Sequence, residues 1–306
     1  MDGTYELFRH FYGAPSHVNG AGREVAAVRG VVSSMLSLIK DSLTGTGTGT
    51  GTGDTGDGRG GPAYLGVATD HVIESFRNDM WPGYKTGAGV DPLLMGQFGL
   101  LEDALGALGV KVWAMVELEA DDALASAAAV ASADASVRQV VICTPDKDLG
   151  QCVQDGRVVQ LDRRRRAVVD EAAVREKFGV EPASIPDWLA LVGDSADGFP
   201  GLPGWGAKTT AAVLRRYGHL ELIPDAPGQW DVAVRGAANL AATLAGSREL
   251  AMLFRDLATL RTQPPAMASV EELRWAGPTP RFAELCEKVL DAPGLARTAE
   301  RLAGRT

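Results

Sequence analysis

Three short apolar runs in this chain each end on acidic residues, and that recurrence constrains the fold more than any other feature. "AYLGVATD" ends at Asp70, and "VKVWAMVELEADD" runs into Glu117, Glu119, Asp121 and Asp122. "QVVICTPDKDLGQC" reaches Asp146 and Asp148 just after its apolar stretch. Alanine- and leucine-rich segments of helical period lie between them, so strands alternate with helices, as in a mostly parallel α/β sheet. Open parallel sheets bind ligands along the carboxyl edge of their strands. Three separate segments therefore aim carboxylates at one edge. Each alone reads equally as a helix cap or an Asx-type turn; together they point to a cation, because crowded like charges raise one another's pKa unless one sits among them.

The donor set says which cation. Four histidines and three cysteines (Cys143, Cys152, Cys286) show no zinc spacing and no C-x-x-C pair. Carboxylate oxygens suit hard divalent ions, Mg²⁺ or Mn²⁺. Two such ions about 4 Å apart activate a water and stabilise the leaving oxygen of a phosphodiester. The formal net charge of −9 over 306 residues does not exclude a nucleic-acid partner. Nine of the acids are candidate metal ligands, and without them the remainder is close to neutral. No apolar run is long enough to span a membrane, no signal-peptide layout opens the chain, and three cysteines without a C-x-x-C pair fit a reducing cytoplasm; a cytoplasmic protein is expected, and a monomer.

The second half changes character. "GDSADGFPGLPGWGAKTT" sets Asp194 and Asp197 one helical turn apart. Gly201, Gly204 and Gly206 follow, then a helix starting near Lys208. Glycines let backbone approach a ligand closely, and the free N–H groups of a helix start, with Lys208 and Thr209, make a phosphate seat. The pattern is not a phosphate-binding Walker loop, since Ala207 separates the last glycine from the lysine. From about Leu220 the chain reads as mostly helical, with breaks near Pro224, Pro264 and Pro278. The tract Thr44 to Gly61 is low-complexity glycine and threonine, expected to loop out at the surface.

"EADD", "TPDKDLGQ" and "GDSADGFPGLPGWGAKT", in this order and spacing, resemble the motifs of the 5′-nuclease superfamily, the flap endonucleases and the 5′-3′ exonuclease domain of bacterial DNA polymerase I. "MDGTYELFR" resembles the first motif and "VATDHVIESFRNDMWPGYK" the second, so the resemblance covers nearly the whole chain. It implies an α/β fold: a PIN-like, mostly parallel sheet flanked by helices, with an inserted all-helical helix-three-turn-helix module. The domains would be a core at 1–180, the helical module at 181–262 and a C-terminal helical tail at 263–306. The implied metal ligands, for two Mg²⁺ or Mn²⁺ ions, are Asp2, Asp70, Glu119, Asp121, Asp122, Asp146, Asp148, Asp194 and Asp197. Lys85 and Arg77 would contact the scissile phosphate, with Arg9 as a further candidate. Gly201, Gly204, Gly206, Lys208 and Thr209 would grip duplex DNA, with K⁺ on loop carbonyls at Gly201–Lys208. The stretch after Lys85 would form a helical arch that admits single-stranded 5′ ends. The implied activity is metal-dependent 5′-3′ exonuclease and flap endonuclease cleavage of DNA.

Two positions depart from the family pattern. Asp2 follows Met1 directly, where relatives carry an apolar strand, and a start upstream is expected. The usual Tyr-Lys-x-x-Arg reads Tyr84, Lys85, Thr86, Gly87, Ala88, with one phosphate-facing cation fewer. "RRRR" (Arg163 to Arg166) falls between "VVQL" and "AVVD" as a hairpin tip, a solvated turn or a phosphate contact. Trp205 is read as packing under its loop. Phe76, Trp81 and Tyr84 divide evenly between core packing and a single-strand stacking surface. Two other functional readings stand beside the nuclease: a nuclease-deficient binder of DNA junctions, and a PIN-type ribonuclease.

Overall fold

The computed structural model describes residues 1–44, 63–154 and 156–305. The glycine–threonine tract expected to loop out at 44–61 lies, beyond Thr44, outside the described residues. The chain divides into two compact units. One comprises Met1–Val72, Gly87–Ala131 and Pro265–Thr306; the other comprises Ile73–Thr86 and Ser132–Pro264.

In the first unit, β1 (Gly66–Asp70) pairs in parallel with β2 (Lys111–Met115), Gly66 opposite Lys111 and Asp70 opposite Met115. Helix Phe98–Ala107 connects toward β2, and helix Ala120–Ala133 follows it. Helices Gly3–Gly13 and Ala26–Thr44 pack against each other, the first against β1 and the second against Phe98–Ala107. The long one shows why it is a helix: Val28, Val31, Val32, Met35, Leu36 and Ile39 recur every three to four residues, and all are buried. Burying one such side chain contributes about 1.5–3 kcal/mol. Met1 and Asp2 form a short parallel stub beside β1: Ala68 N–H donates to Met1 O (3.1 Å), and Asp2 bridges to Ala68. Asp2 is thereby held at the edge of β1.

In the second unit, β3 (Val140–Ile142) runs parallel to β4 (Val158–Asp162), and β5 (Ala167–Val169) returns antiparallel. The described strands thus form a parallel pair, β1–β2, and a mixed trio, β3–β4–β5, flanked by helices as expected of a mostly parallel α/β fold. Helices Glu171–Phe178, Ile185–Val192, Ala207–Tyr217, Ala237–Gly246 and Arg248–Ala258 enclose a core of Ile185, Leu189, Phe199, Val213, Leu214, Phe254 and Leu257. Between the second and third of these helices, the backbone crosses itself closely. A Cβ on Gly193 (φ +91°) would meet Pro200 C at 2.5 Å, and one on Gly201 (φ +69°) would meet Gly193 N at 2.4 Å. Only glycine tolerates both the dihedral and the distance.

After Lys85 the described chain holds turns and the short helix Pro92–Met95 before Phe98–Ala107. No described helix is long and apolar enough to cross a membrane.

Candidate functional site

In the first unit, the five predicted acids lie at the carboxyl end of β1, beyond the end of β2 and at two helix starts. Asp2 caps helix Gly3–Gly13 by accepting from Tyr5 N–H (2.8 Å) and is 6% exposed. Asp70 closes β1: its Oδ1 accepts from Ala120 N–H (2.8 Å), and its own N–H donates to Thr4 Oγ1 (2.8 Å). Glu119 and Asp122 are buried, and Asp122 Oδ2 accepts from Glu119 N–H (2.9 Å), the backward half of a capping box. Asp121 and Asp122 both lie in the first turn of helix Ala120–Ala133.

A support that the motif reading missed holds Asp70. Glu102 Oε1 accepts from Thr69 Oγ1 (2.7 Å), and its Oε2 meets His71 Nδ1 (2.7 Å). One carboxylate therefore grips the residues on both sides of Asp70. No signal in the sequence pairs Glu102 with a segment 31 to 33 residues away.

Arg9 lies in this unit with its guanidinium on Glu6 (2.5 Å). Glu6 is 1% exposed and also lies 3.6 Å from His10.

In the second unit, Asp148, Asp194 and Asp197 offer carboxylate oxygens that all lie within 4.8 Å of one another. Asp148 and Asp194 are buried; Asp148 Oδ1 finds no hydrogen-bond partner, while Asp194 Oδ2 meets the Lys147 ammonium at 2.5 Å. Asp146 is exposed, and its Oδ1 accepts from Asp148 N–H (3.0 Å). Burial, and then the charges of Asp146, Asp197 and Asp194, hold the Asp148 carboxyl well above its ordinary range, with Lys147 only partly offsetting them. Three hard oxygen donors drawn together, one of them buried without a partner, form a set that a divalent cation would satisfy.

Lys147 itself was overlooked. Its Nζ lies 2.5 Å from Asp194 Oδ2 and 4.0 Å from Asp148 Oδ1. Burial lowers the Lys147 pKa, but Asp148, Asp194 and Asp146 outweigh it and hold the ammonium above its usual value. The alternation Asp146-Lys147-Asp148 was the available signal.

The Asp194–Phe199 loop is a tight turn: Asp194 N–H donates to Phe199 O (2.8 Å), and Gly198 N–H returns to Asp194 O (2.8 Å). It docks on the segment bearing Lys85. Lys85 N–H donates to Asp197 O (3.0 Å), Lys85 Nζ meets Asp197 Oδ1 (3.0 Å), and Trp81 Nε1 donates to Gly198 O (3.0 Å). Lys85 keeps 29% side-chain exposure.

Arg77 is placed differently from Lys85, at 1% exposed, donating to Leu257 O (2.8 Å) and Thr259 O (3.3 Å) around the end of helix Arg248–Ala258. Trp81 packs edge-on against Phe254 and Tyr84 is buried, so both serve the core.

Further along, Gly201 is buried in the backbone crossing, while Gly204, Gly206 and Lys208 are exposed and Thr209 is half-buried. Gly206 precedes helix Ala207–Tyr217, whose first N–H groups face outward with Lys208. Trp205 is 4% exposed beside Trp230, packed under the loop as expected. A cavity of about 530 Å³ is lined by Gly193, Asp194, Ser195, Gly198 and Phe199. A larger one, about 820 Å³, is lined by Asp187, His219, Glu221 and Arg255, whose charges are already matched among themselves.

Strand-end carboxylates and a glycine-rich turn between helices define the class as a nuclease-type α/β chain with a helical module. Residues 1–179 match the family "5′-3′ exonuclease, N-terminal resolvase-like domain" and residues 180–281 match "5′-3′ exonuclease, C-terminal SAM fold". The chain belongs to the 5′-3′ exonuclease family. It is 32% identical over 282 residues to DNA polymerase I of Pseudomonas aeruginosa, covering 89% of this chain and 28% of that protein. The chain thus spans little more than a quarter of that relative's length. A 5′-3′ exonuclease of Aquifex aeolicus is 32% identical over 225 residues, covering 73% of this chain and 70% of that one.

Among solved structures, T5 5′-exonuclease with divalent zinc ions bound superposes with a TM-score of 0.55 at 15% identity, covering 89% of this chain and 90% of that one. The catalytic core of Rad2 in complex with DNA substrate superposes with a TM-score of 0.59 at 12% identity, covering 98% and 90%. At such identities the likeness is one of fold.

Proposed function

We propose that this chain is a divalent-metal-dependent 5′-3′ exonuclease and 5′-flap endonuclease that hydrolyses DNA phosphodiester bonds, acting as a monomer in the cytoplasm. The observation that carries the reading is the Asp148–Asp194–Asp197 cluster, in which the buried Asp148 Oδ1 has no hydrogen-bond partner. Two Mg²⁺ ions, or Mn²⁺, are assigned to the candidate acids, which are Asp2, Asp70, Glu119, Asp121 and Asp122 in the first unit and Asp146, Asp148, Asp194 and Asp197 in the second. When bound, they would supply an activated water and charge stabilisation at the leaving oxygen.

The chain's own residues do the rest. The Ala120 N–H and Thr4 hydroxyl fix Asp70 at the strand end, so its carboxylate is positioned before a ligand arrives. The Asp194–Phe199 turn fixes Lys85 by main chain and side chain together. Lys85 is the cation we assign to the scissile phosphate, offsetting the charge that develops on its oxygens. Arg77 we assign to holding that segment, because its guanidinium is buried on two carbonyls. Gly204, Gly206, Lys208 and Thr209 are assigned to duplex phosphates at the helix start, with Gly201 shaping the turn, and K⁺ to carbonyls of the Gly201–Lys208 loop.

The test is cleavage of a labelled 5′-flap DNA by purified protein, with Mg²⁺ and with chelator. Metal-dependent release of the flap is expected. Tight junction binding without cleavage would sink the enzyme reading, and preference for an RNA strand would replace it with a ribonuclease.

A further inference from the structure

We propose that the β4–β5 hairpin tip, Arg163 to Arg166, is a docking surface for the phosphate backbone of the DNA substrate, gripping strand beyond the bond that is cut. The inference rests on the nuclease reading above and adds a contact to it.

Topology places the tip. β3 and β4 are parallel, with Val140 opposite Val158 and Ile142 opposite Gln160, so both leave the sheet at the same edge. β3 continues into Asp146 and Asp148, and β4 continues into Arg163. Gln160 Nε2 donates to Asp146 O (2.6 Å), which ties the two exits together. Arg163 lies three residues further on, about 10 Å at the ordinary strand rise. A basic tip and an acidic metal-type cluster thus share one carboxyl edge of one small sheet, the edge where such sheets bind ligands.

Charge and exposure indicate the partner. Arg164, Arg165 and Arg166 are exposed. Arg165 reaches Asp162 only at 3.7 Å with 82% of its side chain in solvent, and Arg164 and Arg166 form no ion pair among the described residues. The turn is nonetheless ordered, since Asp162 Oδ1 accepts from Arg165 N–H (3.0 Å). Arg166 takes φ +54°, a left-handed conformation that glycine or asparagine adopts more easily. An arginine there keeps a guanidinium at a position that backbone geometry alone would give to another residue. Concentrated guanidinium charge on a chain of net charge −9 suits a polyanion whose oxygens accept in pairs, which a phosphodiester backbone supplies.

The experiment measures binding of the full chain to 5′-flap DNA in chelator, across salt from about 50 to 200 mM. Arg163, Arg164, Arg165 and Arg166 are replaced together by Gln. The slope of log Kd against log salt should fall by about 2–3, since each lost phosphate contact removes about 0.9. Cleavage at saturating enzyme with Mg²⁺ should be unchanged. A control replaces Arg281, Arg297, Arg301 and Arg305, all exposed, by Gln and alters net charge equally; its slope should match the parent. An unchanged slope in the tip variant overturns the proposal, as does an equal fall in the control. Loss of polyglutamate binding with DNA binding intact assigns the tip to an acidic protein instead, which also overturns it. Failure of the parent to cleave DNA sinks the nuclease reading and leaves the binding slopes readable.

Discussion

Lys147 Nζ lies 2.5 Å from Asp194 Oδ2 and 4.0 Å from Asp148 Oδ1, so the acidic pocket of the second unit carries its own cation. With Lys85 Nζ on Asp197, two ammoniums face Asp146, Asp148, Asp194 and Asp197, and Asp148 remains the least compensated of the four because it is buried beside the other charges.

Asp148→Asn should therefore raise the metal-free melting temperature, by about 2–4 °C for each kcal/mol of repulsion relieved. The same variant should lose the rise that Mg²⁺ gives the parent, since binding to the folded state alone stabilises it. Lys147→Gln should do the reverse without metal and lower the midpoint. Calorimetric scans with Mg²⁺ and with chelator check all three. A parent indifferent to Mg²⁺ would falsify the metal assignment.

Asp146→Asn tests catalysis apart from binding. Asp146 is exposed and receives only one amide hydrogen bond at its carboxylate among those described, so the fold should tolerate the change. Flap cleavage should drop at least about 100-fold, the scale seen even for outer partners of a metal site, while DNA affinity stays within a few-fold. Single-turnover rates beside equilibrium binding would decide it.

Glu102 acts through Asp70 by gripping Thr69 and His71. Glu102→Ala should raise the Mg²⁺ concentration for half-maximal activity by about 10–100-fold and leave duplex affinity alone. Glu102→Gln, still able to accept from Thr69, should recover part of the loss. Equal behaviour of the two variants in a Mg²⁺ titration would count against a positioning role.

Lys208→Ala removes one exposed ammonium beside the outward N–H groups of helix Ala207–Tyr217. Duplex binding should weaken, and the slope of log Kd against log salt should fall by about 0.9. Fluorescence anisotropy over a salt series measures it.

Gly198→Ala probes the scaffold under Lys85. Gly198 has φ +85°, and a Cβ there would meet Gly83 O at 2.0 Å. The loop must move away from the segment bearing Lys85, so cleavage should fall with a loss of stability of about 1–3 kcal/mol, the cost of one forced backbone strain. Denaturant unfolding together with flap cleavage checks both halves.

The sequence by itself determined the alternation of strands and helices, the acids at strand ends and the helix start at Ala207, because periodicity, caps and glycines act over a few residues. β1 ends at Asp70 and helix Ala120–Ala133 begins one residue after Glu119, as their local patterns require. Tertiary structure alone decided which charges meet. Arg77, by its motif a phosphate contact, is buried on the carbonyls of Leu257 and Thr259, 180 and 182 residues away. Lys147 neutralises Asp194, Glu102 braces Asp70, and Gly201 serves a backbone crossing with Gly193. Such partnerships depend on distances that open only when remote segments pack, and no local rule for a single residue encodes them.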